Sequence, residues 1–203
     1  QQIMPGLVFG RETGYGHPMQ GTEAAMAVLA REDTRGHFQR HFGPMTATLI
    51  VVGDVSLDEI MERAEAAFGG WRPQVPGHGE QQDRAPADLP NSTTVFLVDK
   101  PEAAQSVISA GHSTVPRQHA DYWGLTLLNY AFGGQFSARL NQNLRQDKGY
   151  SYGFHSSIQW HRGPSLLVAG GSVQTAVTKE SVWETLQEFR NIHHSRPLTP
   201  EEL

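Results

Sequence analysis

Ten residues, Leu144-Arg145-Gln146-Asp147-Lys148-Gly149-Tyr150-Ser151-Tyr152-Gly153, constrain the fold more than any others in the chain. Up to this point Phe136, Leu140 and Leu144 recur every fourth residue, the spacing of a helix face, and Gly149 is the residue that stops a helix. Beyond it the period falls to two. Tyr150, Tyr152, Phe154, Ser156, Ile158 and Trp160 alternate along a long strand. Arg162-Gly163-Pro164 then turns the chain, and Ser165 to Val173 brings it back as a hairpin partner. A helix must therefore be delivered onto an antiparallel sheet through one sharp corner, with a cation on the helix and a phenol on the strand.

The remaining elements are read around that corner. Thr93 to Asp99 and Gln105 to Ala110 read as strands separated by a Lys100-Pro101 turn. A helix over 119–132 carries Trp123, Leu127, Leu128 and Ala131, and Gly133-Gly134 breaks it. Another helix, over 176–193, turns Val182, Trp183, Leu186 and Phe189 inward. Earlier in the chain, residues 1–20 read as loop with one short element. Thr22 can cap a short helix, and a second helix covers 31–42 although Ala30 is a poor cap. Thr46 to Val52 is an apolar, β-branched run that reads as a buried strand. Ser56 and Glu59 form a capping box for a helix carrying Leu57, Ile60, Met61, Ala64, Ala67 and Phe68, which Gly69-Gly70 ends. The order of elements predicts an α+β fold, mainly antiparallel sheets with helices packed on one face. Residues 72–92 are rich in proline, glycine and polar side chains and read as a connector. They divide residues 1–71, the closing part of one lobe, from 93–203, the opening part of a second. Thr199-Pro200-Glu201-Glu202 has the form of a capped helix start, so the natural continuation of the chain is expected to be helical.

Composition removes several classes of function. The net charge of −5, with 16 basic and 21 acidic residues and no basic block, argues against a nucleic-acid partner. No apolar run has the length of a membrane span. The absence of cysteine excludes disulfides, thiolate metal sites and cysteine nucleophiles. His37 and His41 lie four apart on a helix and could share a metal, but aromatic packing beside Phe38 and Phe42 explains them equally. Neither H-E-x-x-H nor H-x-x-E-H occurs. There is no G-x-S-x-G nucleophile elbow, and Gly133-Gly134 lacks the rest of a phosphate loop. No residue of the chain is assigned to metal or to catalysis.

Arg145 lies about 100° around the helix from Leu144, at the margin of the buried face. Tyr152 follows the corner. A guanidinium gives five hydrogen-bond donors and a phenol gives one. Together they could bind peptide carbonyls, or stabilise an oxyanion beside a metal held elsewhere. Equally, Arg145 could pair with Asp147 or Glu102, and Tyr152 could be a core residue with a wet tip.

The chain resembles the insulinase/pitrilysin-type zinc metallopeptidases, the inverzincin group that includes mitochondrial processing peptidase. The resemblance rests first on Tyr15-Gly16-His17-Pro18 with Gly21-Thr22, on Ala47 to Val55, and on Phe68-Gly69-Gly70-Trp71. It continues through Val98-Asp99-Lys100-Pro101 with Ala104-Gln105-Ser106, Leu128-Asn129, Gly133 to Leu140, and Asn143-Leu144-Arg145 to Gly153. It implies processing-peptidase-like lobes that enclose a chamber. It implies zinc on one lobe of the parent protein or on a partner subunit, and an Arg and a Tyr seven residues later on another lobe that hold an extended peptide substrate. Arg145 and Tyr152 have that spacing, so the resemblance assigns them substrate binding. The zinc motif itself does not occur in this chain, which would then be inactive alone. A structural or scaffold subunit of the same fold, without a protease role, is the alternative.

Overall fold

The structure is a computed structural model that describes residues 3–72 and 93–202. The connector expected over 72–92 lies, beyond Arg72, outside the described residues. In chain order the helices and strands are α1 (Met4–Phe9), α2 (Glu23–Val28), α3 (Arg31–His41), α4 (Leu57–Phe68), β1 (Gln105–Thr114), α5 (Tyr122–Asn129), α6 (Arg139–Asn141), β2 (Ser151–Gln159), β3 (Ser165–Gln174) and α7 (Thr178–Asn191). Two π-helical stretches extend this list, Tyr130–Gly134 after α5 and Gln142–Asp147 after α6. Contacts group the chain into two compact units, Gln1–Met19 with Arg84–Leu203, and Gln20–Asp83.

The larger unit is built on an antiparallel sheet in the order β1-β3-β2. β3 pairs along its whole length with β1, from Gln105 opposite Gln174 to Thr114 opposite Ser165. Successive side chains of a strand point to opposite faces, so β3 divides its residues between two cores. Ala169 and Val173 meet Phe132, Leu140, Leu144 and Phe154, with Phe189 and Ile192 of the α7 region packed alongside. Leu166 and Val168 point the other way and meet Val8 and Phe9 of α1, together with Tyr15. The expected helical layer, α5 to α7, covers one face, and the other face also receives α1. Tyr15 secures that second layer by accepting the Gly163 N–H at 2.9 Å.

The smaller unit contains α2, α3 and α4, and none of the three helices buries a residue. Their starts follow the local chemistry of the sequence. Thr22 accepts the Ala25 N–H and Ser56 accepts the Glu59 N–H, each at 3.2 Å. Helix α3 begins at Arg31 despite the weak cap, because Asp33 reaches back to accept the Ala30 N–H at 2.9 Å. Glu59 does not complete the capping box; its carboxylate takes a hydrogen bond from Arg63 instead.

Two expected strands do not form. Among the described residues Thr46–Val52 and Thr93–Asp99 are unpaired, and their apolar side chains stand in solvent; Ile50 is 80 % and Leu97 89 % exposed. A strand is held by a neighbour, not by β-branched composition alone, and among the described residues neither run has one. Two helix faces are also rotated from expectation. In α7 the buried positions are Ser181, Thr185 and Glu188, while Trp183 is exposed. Val182, Trp183 and Leu186 line an open cleft with Tyr150. In α5, Trp123 and Leu127 are exposed. Small and hydrogen-bonding side chains let α7 approach the helix beneath it, which leaves Val182, Trp183 and Leu186 to the flank, while Phe189 packs inward against Phe132 as expected.

Candidate functional site

The corner predicted between helix and strand is present and tightly closed. Gly149 has φ 67°, a left-handed conformation that a Cβ would oppose. The Gly149 N–H donates to Arg145 O at 3.2 Å and the Tyr150 N–H to Leu144 O at 2.9 Å. The helix does not reach the corner as a regular α-helix. Lys148 N–H donates to Asn143 O at 3.0 Å, five residues back, so Arg145 rides on a π-helical turn. Such turns recur at functional sites because they displace a side chain from the α-helical register. Asn143 holds this turn in place. Its amide donates to Glu188 Oε1 at 2.7 Å and to Glu184 Oε2 at 3.1 Å, tying it to α7.

Arg145 is half-buried, and among the described residues it forms no ion pair. Its guanidinium lies 4.3 Å from the centroid of the Phe136 ring. Asp147, the nearby acid that might have paired with it, instead accepts a hydrogen bond from Gln142 at 2.9 Å. Phe136, expected within the helix by its spacing from Leu140 and Leu144, precedes α6 and is 60 % exposed.

Tyr152 is 90 % exposed. Strict alternation would place it on the face of Phe154, which is fully buried. The pairing of β2 with β3 explains the difference: Ser151 lies opposite Val173 and Phe154 opposite Gly171, a register shift that makes a β-bulge. A bulge inserts one extra residue and re-aims a side chain. Here it turns Tyr152 out of the core. Arg145 and Tyr152 therefore flank the same corner, each presented by a local break in regular structure. No hydrogen bond joins them among the described residues.

Two further residues organise this region. Asn141 is fully buried. Its Nδ2 donates to Phe136 O at 2.6 Å and its Oδ1 accepts the Phe154 N–H at 3.1 Å, so one side chain fastens the loop before α6 to the strand that carries Tyr152. The Arg139 side chain is 1 % exposed. It forms a two-pronged hydrogen-bonded pair with Glu202 and donates also to the carbonyls of Arg196 and Pro197. The Arg139 guanidinium holds the Glu202 carboxyl below the usual carboxylate range, against an opposing effect of burial. Glu202 also accepts the Thr199 N–H at 2.9 Å, as the capping pattern at that point of the sequence predicted.

Among the described residues, no group of three or more His, Asp or Glu side chains is placed to hold a metal ion. The His37 and His41 rings lie tilted with centroids 4.4 Å apart, beside a stacked Phe38–Phe42 pair at 5.1 Å, and all four side chains are exposed. Among the described residues no helix is long and apolar enough to cross a membrane. Gly133 belongs to the packing of the π-turn after α5 on β2, because a Cβ there would collide with Ser156.

Comparison with known proteins places these features in a family context. Residues 29–203 match the family described as the peptidase M16 inactive domain. The uncharacterized zinc protease YmxG of Bacillus subtilis is 27 % identical over 178 residues, covering 86 % of this chain and 42 % of that protein. A zinc protease of Mycobacterium leprae is 26 % identical over 143 residues, covering 70 % of this chain and 32 % of that protein. Among solved structures, the peptidase M16 inactive domain from Pseudomonas fluorescens superposes with TM-score 0.75 at 15 % identity, covering 98 % of this chain and 47 % of that one. A protease from Helicobacter pylori superposes with TM-score 0.69 at 16 % identity, covering 93 % of this chain and 45 % of that one. The chain thus spans less than half the length of these relatives.

Proposed function

The chain belongs to the peptidase M16 inactive-domain family, and from that premise we propose that it is the metal-free, substrate-binding portion of an insulinase-type zinc peptidase. Arg145 and Tyr152 hold the backbone of an extended peptide. The guanidinium offers donors to one or two carbonyls, and the phenol offers a single donor further along the chain. Such recognition reads main chain rather than side chains, and suits unfolded or extended substrates. The observation that carries this reading is the state of the pair. Tyr152 is almost wholly in solvent, Arg145 is outside any ion pair among the described residues, and both border one corner closed by backbone hydrogen bonds. A packing role would have buried the phenol, and a structural charge would have found an acid.

The described residues do not fit a zinc ion. In this reading the metal named in the relatives' descriptions sits on a homologous domain of the parent protein or on a partner subunit, and this chain is inactive alone.

The test is turnover of a fluorogenic unstructured peptide by the full protein, with its zinc-bearing domain or partner present. Arg145→Ala or Tyr152→Phe is expected to lower kcat/KM by about ten- to a thousandfold, the range for losing hydrogen bonds that strengthen in the transition state. Unchanged turnover in both variants would move the chain to the alternative role, a scaffold of the same fold.

A further inference from the structure

We propose that Phe136 is the positioning residue for Arg145, and that Asn141 fixes Phe136 for that purpose. The inference rests on the reading of Arg145 as a substrate-binding group and extends it to the residues that aim the guanidinium.

A free arginine side chain has four rotatable torsions and samples many orientations, so ordering it on substrate costs side-chain entropy. Two devices reduce such a cost, an ion pair or a flat surface to lie against. Arg145 has no acidic partner among the described residues, and it has the surface: the Phe136 ring, 4.3 Å from its guanidinium carbon. An acid would occupy the donors that a peptide carbonyl needs. A ring face attracts the cation through its π electrons and leaves the in-plane N–H groups free.

The ring must itself be held, since its side chain is more than half exposed and has little packing of its own. The backbone supplies the constraint. Phe136 O accepts the Asn141 amide, and Asn141 Oδ1 accepts the N–H of Phe154, two residues beyond Tyr152. Asn141 is fully buried, so both bonds are sheltered from water. A continuous set of contacts runs from the strand of Tyr152, through Asn141 and the Phe136 backbone, to the ring under Arg145. The π-helical turn brings Arg145 to the near end of that set, and the bulge releases Tyr152 at the other. The two proposed substrate contacts are thereby referenced to one rigid frame.

The experiment is a double-mutant cycle in the full protein with its zinc-bearing domain or partner, read as kcat/KM on the same fluorogenic unstructured peptide. Phe136→Leu keeps an apolar side chain and removes the π face; it is expected to lower kcat/KM by about two- to fivefold, the equivalent of one exposed cation–π contact. Phe136→Trp, which retains and enlarges the π face, keeps wild-type kcat/KM. On an Arg145→Ala background, Phe136→Leu produces no further loss, because the ring acts only through the arginine. If Arg145→Ala impairs turnover while Phe136→Leu does nothing, or if Phe136→Leu costs as much without Arg145 as with it, the positioning role is overturned and the substrate-binding role of Arg145 stands. If Arg145→Ala leaves turnover intact, both are overturned together.

Discussion

Leu144 and Ile50 are both aliphatic residues in apolar stretches, and their fates are opposite. Leu144 has no exposed surface; Ile50 is 80 % exposed. The difference lies in what surrounds each. Leu144 belongs to a helix held over a paired sheet, where Phe132, Leu140, Phe154 and Ala169 complete its contacts. Ile50 belongs to Thr46–Val52, a run of β-branched and apolar residues with no strand beside it among the described residues. Burial is a property of the partner as much as of the residue. The corner region is a closed piece of core, and the apolar run has no cover among the described residues.

The largest expected effect tests that contrast directly. Leu144→Ala should lower the unfolding free energy by about 2–5 kcal/mol, the usual range for a cavity in a closed core. Ile50→Ala in the same chain should stay within about 0.5 kcal/mol, as at an ordinary surface site. Chemical denaturation of both variants gives the comparison, and comparable losses would break it by revealing cover over the run. A smaller effect is expected from Asn141→Ala. It leaves the Phe154 N–H and the Phe136 carbonyl without their shared partner, for a loss of about 1–3 kcal/mol measured the same way.

The last prediction concerns acid. Glu202 is held below the usual carboxylate range, chiefly by hydrogen bonds from Arg139. A carboxyl depressed in the folded state contributes stability above its unfolded pKa and loses it as pH falls through the folded value. The wild-type chain should therefore lose Tm on acidification through and below the ordinary glutamate range. Glu202→Gln should lack that part of the dependence, so the two Tm profiles converge at low pH. Parallel profiles would show that the Arg139–Glu202 pair is not what closes this end of the larger unit.

The parts of the fold legible in the sequence were those set by short-range signals. Gly149 marked the corner, Thr22 and Ser56 marked helix starts, and alternation from Tyr150 to Trp160 marked β2. Strand existence was not legible for Thr46–Val52 or Thr93–Asp99, because composition carries no record of whether a partner is present. Helix faces were misread where small polar residues pack closest. Ser181, Thr185 and Glu188 occupy the inner face of α7, and hydrophobic spacing points instead to Val182, Trp183 and Leu186. Arg145 and Tyr152 were legible as chemistry. Their presentation was not, since a π-turn and a β-bulge are each a one-residue irregularity without a composition of its own. The spacing of Phe136 from Leu140 and Leu144 places it on the helix, whereas it precedes α6. The Gly133-Gly134 pair just before it was the available sign that it stands outside the helix.

The unpaired run from Thr46 to Val52 has a consequence for handling the chain by itself. Its seven residues carry no charge and no proline, and among the described residues their backbone groups join no ladder. A segment of that kind is a template for cross-β stacking between molecules. Concentrated alone, the chain exposes this run to its own copies, the arrangement from which strand pairing between molecules begins.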